Sequence, residues 1–234
     1  MEDRVRVART TGLLYLGLAI SGLLGHLVLR AQLYDADDGG ATLTNLVQHE
    51  TTARIAIALE LTIVLTQTLA GLWFFRLFRS VDSFTAGALV AFSFVNAVVI
   101  LISAGSLATA LEVALDDALA SADTVQLMYV VSDQLWLVGE LFFGLWLVPM
   151  GQLVLRSGWM PAALGWILVA GGIGYVAGPF AAYLLDVRAV ADLLVVPASI
   201  GEFWIVGYLL VRGVRRPASS TVHDRTLDQV GPRQ

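Results

Sequence analysis

Charged residues in this chain come in short clusters, and long apolar runs separate the clusters. Six such runs span roughly residues 10–30, 54–77, 84–108, 133–155, 161–185 and 191–212. Each is long enough to cross a hydrocarbon core of ~30 Å, which takes about 20 residues of helix. None shows the alternation that a barrel strand requires. Backbone amides in lipid must be satisfied within the segment, so the pattern predicts helices. The expected fold is an all-α membrane protein: a six-transmembrane-helix bundle over residues 1–216, followed by a disordered polar tail over 217–234.

Arginine positions predict the direction of each pass. The N-terminus, the second-to-third and fourth-to-fifth connections and the tail hold eleven of the fourteen Arg residues. The remaining connections hold only Arg30, Arg54 and Arg188. This excess predicts that both termini are cytoplasmic and that the bundle sits in the cell (plasma) membrane. Arg4, Arg6 and Arg9 precede the first run as they would in a secretion signal, but the run is long for one and lacks a small-residue cleavage site. It reads as a retained span. On the outer side, Leu111, Leu115 and Leu119 recur every four residues beside acids, which predicts a short helix on the interface.

Composition narrows the chemistry. The chain is 57% hydrophobic and 14% charged, against about 25% charged in a soluble domain. It has no cysteine, so disulfides, thiolate metal sites and Cys nucleophiles do not arise. There is no HExxH and no Glu-x-x-His pair. His49 and His223 fall in a connection and in the tail, which leaves no second axial histidine for haem. Gly171 to Gly178, GGIGYVAG, lies within a span and lacks dinucleotide-loop spacing. Topology accounts for the C-terminal arginines, so no nucleic-acid partner is expected.

Three carboxylates inside the apolar runs stand out. Glu60, Glu140 and Glu202 sit one in each even-numbered span. They lie six, seven and ten residues past the boundaries at Arg54, Asp133 and Asp192, about 9, 10 and 15 Å deep at 1.5 Å per residue. His26 is about 6 Å deep by the same rule. A charge at mid-membrane costs roughly 2.5–3.5 kcal/mol, so these groups are expected to be protonated, paired, hydrated or metal-bound. Gln67, Asp133, Ser199, Asn96 and Ser103 fall on the same helical faces. The pattern predicts an outward-facing polar cavity lined by Glu60, Glu140, Glu202 and Asn96, with His26 beside it. The competing account is a set of interhelical hydrogen bonds that only hold the bundle together. Arg54 either closes a salt bridge across the cavity or pairs locally with Glu50, four residues earlier; the local pair is favoured. His26, Glu60 and Glu140 are the candidate metal ligands. Small residues at Gly17, Ser21 and Gly25, and at Ala170, Gly174 and Gly178, predict close helix packing.

Several stretches also resemble a known family. GLLYLGLAISGLLG, ATLTNLVQHETTARIAI, LVLRSGWMPAALGWILVAGGIGYV and PASIGEFWIVGYLLVRGV together resemble the DUF4386 family of multi-pass bacterial and archaeal membrane proteins, over about residues 10–216. The distinctive positions are Arg156, Ser157, Gly158, Pro161, Leu164, Gly165 and Tyr175, then Gly201 and Glu202, with Thr42, Asn45, Glu50 and Arg54 fitting as well. The fourth span departs: members often begin it with Asp-Leu-His, where this chain reads SDQLW. The resemblance implies a membrane architecture and supplies no reaction.

The expected function is binding or movement of a small solute, ion or lipid headgroup, proton-linked through Glu140, with no catalytic residues and no cofactor. The lipid bilayer is the expected partner, with a small-molecule or ion ligand, and self-association is left open. Two alternatives stand beside this reading: a metal-dependent intramembrane enzyme, and a structural or accessory subunit.

Overall fold

The computed structural model describes residues 2–185 and 188–214. The expected tail, 217–234, lies outside the described residues. No strand occurs among those described. The elements are α1 (Glu2–Gly22), a π-helical segment (Leu23–Leu29), α2 (Arg30–Leu33), α3 (Gly39–Gln48), α4 (Glu50–Phe78), α5 (Ser83–Leu115), α6 (Ala122–Ser157), α7 (Ala162–Leu185) and α8 (Arg188–Val211). Six stretches are long and apolar enough to cross a membrane: Asp3–Leu33, Glu50–Phe78, Ser83–Leu115, Ala122–Ser157, Ala162–Leu185 and Leu193–Val211. Their outer faces expose large apolar side chains such as Leu65, Leu101, Trp166, Ile173 and Ile200. A water-soluble monomer does not carry such a continuous apolar surface.

Consecutive spans pack side by side, and α1 closes the bundle against α4 and α8. Val5 lies beside Gly213, so the start of α1 and the residues just after α8 share one end of the bundle. The main core sits toward that end. Phe74, Trp146, Tyr15 and Phe78 are almost fully buried there, and Tyr15, Phe74 and Trp146 meet edge to face at 5.4–5.8 Å. The turns at this end are well determined. Asp82 caps α5, accepting from the Thr85 N–H at 3.0 Å and the Thr85 hydroxyl at 2.9 Å. It also pairs with Arg156. The Thr85 amide first, then its hydroxyl and Arg156, hold the Asp82 carboxyl below its ordinary range. Gly158 ends α6 at φ 63°, a left-handed position where glycine carries no Cβ penalty. Tyr208 then donates to the Trp159 carbonyl at 3.2 Å. The RSGxxP stretch is therefore the turn between α6 and α7.

The α3 end differs from expectation. The interfacial helix predicted around Leu111 to Leu119 is absent: α5 runs on to Leu115, and α6 begins at Ala122 after a short turn. At 33 and 36 residues these helices reach about 50 Å, well beyond the ~30 Å core. The reason is a second apolar cluster. Leu33, Leu46, Leu107, Leu111, Val125 and Tyr129 bury one another there, with α3 lying across the projecting hairpin. Gln126 of α6 ties it down, donating to the Asp35 and Ala36 carbonyls at 3.0 and 2.9 Å.

Close packing occurs at Gly174, on the predicted face, and also along glycines seven residues apart. A Cβ on Gly144 would sit 2.4 Å from the Gly172 carbonyl oxygen, and one on Gly151 would sit 2.6 Å from that of Gly165. These four glycines let α6 and α7 touch backbone to backbone. Gly174 does the same toward Leu194 of α8, whereas Ala170, expected on that face, is exposed.

Candidate functional site: an intramembrane crevice beside a buried polar network

Two polar regions lie on opposite sides of Trp136. The first is closed around Glu60 and Arg30, while its Asp133 also lines the second. Arg30, only 7% exposed, pairs with Asp133 at 2.7 Å and donates to the Ser132 hydroxyl and the Tyr129 carbonyl, both at 2.9 Å. Its guanidinium also lies over the Tyr34 and Tyr129 rings, 5.3 and 5.1 Å from their centroids. Ser132 Oγ is 2.8 Å from Ser103 Oγ, and Ser103 donates to Glu60 Oε1 at 3.3 Å. The indole N–H of Trp136 reaches the same oxygen at 3.1 Å. Guanidinium and indole only donate, so the direction of the chain is fixed. Arg30 donates to Ser132, Ser132 to Ser103, and Ser103 to Glu60. The carboxylate of Glu60 is the terminal acceptor of a donor chain that begins at a cation. Farther along the same interface, Gln67 and Asn96 are fully buried, and Ser93 donates to the Gln67 carbonyl at 3.0 Å.

The second region is open. A crevice in the α3-end half of the bundle runs between α1, the π segment, α6, α7 and α8. Its wider lobe, about 630 Å³, is lined by His26, Asp133, Gln134, Glu140 and Tyr175 among others. A narrower lobe of about 250 Å³ holds Tyr15, Ser199, Glu202 and Phe203. Gly22, Leu27, Trp136, Phe143 and Tyr175 line both lobes, so the two adjoin across a common wall. A ladder of rings runs along it. His26 lies 4.5 Å from Trp136, Trp136 stacks on Phe143 at 6.3 Å, and Phe143 meets Tyr175 at 5.8 Å. Tyr15 donates to Glu202 Oε1 at 2.6 Å.

Local sequence explains this arrangement. Asp133, Trp136, Glu140 and Phe143 are spaced three, four and three residues apart, which places them on one face of α6. The π segment turns the first span between His26 and Arg30, and the Arg30 N–H bonds back to the Gly25 carbonyl, five residues earlier. Such wide turns occur often at functional sites. Here the turn sets His26 over Trp136 while Arg30 reaches α6.

The structure thus brings His26, Glu140 and Glu202 to one crevice. It places Glu60 behind the Trp136 wall. Asn96 is buried on α5 near Gly139, and it does not line the crevice. Arg54 is exposed and bonds Glu50 at 2.7 Å, so it takes the local pairing. Among the described residues no three His, Asp or Glu side chains come together as metal ligands. His26, Glu60 and Glu140 therefore do not form a shared ligand set. The sequence reading missed Arg30, counted only as a connection charge, and the rings of Trp136, Tyr15 and Tyr175. The α6 spacing was the available signal for Trp136.

Long apolar helices, lipid-facing aromatics and acid groups turned inward define a polytopic α-helical membrane protein with a polar crevice inside the bundle. Residues 10–213 match the family described as "Domain of unknown function (DUF4386)", and the chain belongs to that family. Comparison with curated proteins returns no match, and neither does comparison with solved structures.

Proposed function

We propose that this protein binds, and passes into or across the membrane, a small solute, ion or lipid headgroup held in the crevice between α1, α6, α7 and α8. The observation that carries this reading is the crevice itself. A pocket built from a few polar groups among apolar and aromatic walls is the usual form of a ligand site. Intramembrane carboxylates that line a cavity point to a pathway or a binding role. The three carboxylates then divide. Glu140 and Glu202 serve the ligand, and Glu60 holds α4, α5 and α6 together.

Binding is proton-linked through Glu140. His26 from the π segment, Asp133 from its own helix, Tyr175 from α7 and Glu202 from α8 share its crevice. The α3 end faces outward in the plasma membrane. Of the three Arg residues assigned to that side, Arg30 and Arg54 are already paired with Asp133 and Glu50. The arginine excess at the opposite end is sharpened accordingly.

A water-soluble carbodiimide with glycine ethyl ester tests the division. In protein reconstituted into nanodiscs, peptide mass spectrometry should find Glu140 modified and Glu60 spared. Glu140 staying unmodified until the protein is denatured would overturn the reading.

A further inference from the structure

The narrower lobe of the crevice has a composition of its own. Its walls carry five aromatic rings, from Tyr15, Trp136, Phe143, Tyr175 and Phe203. The rest is aliphatic apart from Ser199 and one carboxylate, Glu202. Tyr15 fixes Glu202 by donating to Oε1, and Tyr15 is itself held edge-on by Trp146 and Phe74. No lining residue of this lobe is basic.

We propose that this lobe takes the head of a small organic cation, an ammonium bearing apolar substituents, set between the Glu202 carboxylate and the aromatic walls formed by Trp136, Phe143 and Tyr175. The proposal rests on the crevice reading above and names the ligand class for it. Three physical features converge. An aromatic face attracts a cation through its quadrupole, and more strongly where water is excluded. A single anchored carboxylate gives the cation a counter-charge without crowding it. Low-dielectric walls make that pairing stronger than it is in water. An anion would meet the Glu202 carboxylate with no basic residue in the lining of this lobe to offset it. A bare metal ion would find one carboxylate where several hard ligands are needed. A neutral apolar molecule would fit the rings and leave Glu202 unused. The wider lobe, with Asp133, Glu140 and His26, is the polar vestibule through which the cation enters from the α3 end.

Three probes of one shape test this: phenethylammonium, 2-phenylethanol and phenylacetate. Their binding to the full chain in nanodiscs is measured by calorimetry. Phenethylammonium should bind at least tenfold more tightly than the alcohol, and phenylacetate should not bind. Glu202→Gln keeps an acceptor for Tyr15 and so keeps the fold; it should cost phenethylammonium tenfold or more and leave the alcohol unchanged. Phe143→Leu should weaken the cation several-fold with Glu202 in place. Equal affinity for the cation and the alcohol overturns the assignment, and so does cation binding indifferent to Glu202→Gln. Failure of the crevice reading looks different. The chain has no native cysteine, so Gly22→Cys on the wall shared by both lobes reports access. If that cysteine reacts with a water-soluble maleimide while all three probes fail to bind, the cation assignment falls and the crevice stands. If it does not react, both fall.

Discussion

Glu60 and Glu140 are the same residue type at nearly the same depth, and their neighbours give them opposite fates. Around Glu60 every adjoining helix supplies a donor or a seal: Ser103 from α5, Trp136 from α6, and Arg30 through two serines. Glu140 instead lines a crevice, together with His26, Asp133 and Tyr175. One tryptophan separates the two, with its N–H on the closed side and its ring on the open side. An intramembrane carboxylate is therefore not a site by itself. Its role follows from whether neighbouring helices close over it or part beside it.

The comparison can be broken most severely where α6 is clamped. Gly144→Ala would put a methyl 2.4 Å from the Gly172 carbonyl oxygen and force α6 and α7 apart, at a cost of about 3 kcal/mol or more. The expected readout is loss of a monodisperse peak in detergent. Gly22→Ala, whose new Cβ meets nothing within 4 Å, should leave that peak unchanged.

Next comes the cation behind the network. Arg30→Leu removes the guanidinium from Asp133 and from the serine chain. Removing one partner of a fully buried pair costs about 3–5 kcal/mol; Asp133 is partly exposed, so about 2–3 kcal/mol is expected here after that discount for screening. A thermal melt in nanodiscs measures it. Arg30→Lys should recover only part, because an ammonium lacks the planar fork that serves Ser132, Tyr129 and Asp133 together.

Opening the wall is gentler and more informative. Trp136→Phe removes the bond to Glu60 at a cost of about 1–2 kcal/mol. It should also expose Glu60 to carbodiimide, so that Glu60 comes to behave like Glu140. Glu140→Gln sits at the small end: within about 1 kcal/mol of wild type in stability, yet with proton-linked ligand response lost. A large drop in melting temperature instead would mean that Glu140 holds helices, as Glu60 does.

The smallest effect concerns pH at the opposite end. The folded state holds Asp82 below its ordinary value, so its contribution is present at pH above the unfolded value near ~3.9 and is lost as pH falls through the folded one. Wild-type stability should decline below about pH 4, and Asp82→Asn should be flatter there. Parallel curves would remove Asp82 from the account.

The spans were legible because lipid demands long apolar runs, and a run needs no knowledge of its partner. Their ends were less so. Leu111, Ala114, Val125 and Tyr129 continue α5 and α6 past the predicted span ends because they pack with α3 in one cluster, and no local signal announces a cover that lies far along the chain. Glu60, Glu140 and Glu202 were visible as charges out of place, while Arg30 was not, since an arginine at the end of a run is what topology leads one to expect. Its partners on α6 lie about a hundred residues away, beyond any helical spacing. The spacing of four did point to close approach at Gly174, but the seam between α6 and α7 went unseen for a related reason. The small-residue spacing of four is a property of one helix, whereas Gly144, Gly151, Gly165 and Gly172 make sense only as two helices read together.

The most direct measurement uses the absence of native cysteine. Gly22→Cys is placed on the crevice wall, and Ile100→Cys in the sealed interior, 0% exposed. Each is treated in sealed, oriented vesicles with a membrane-impermeant maleimide from either side. Gly22→Cys should react from the α3-end face and not from the other, and Ile100→Cys should react from neither. If Gly22→Cys stays unlabelled from both faces, or reacts from the face opposite the α3 end, the crevice is not the outward polar site described above.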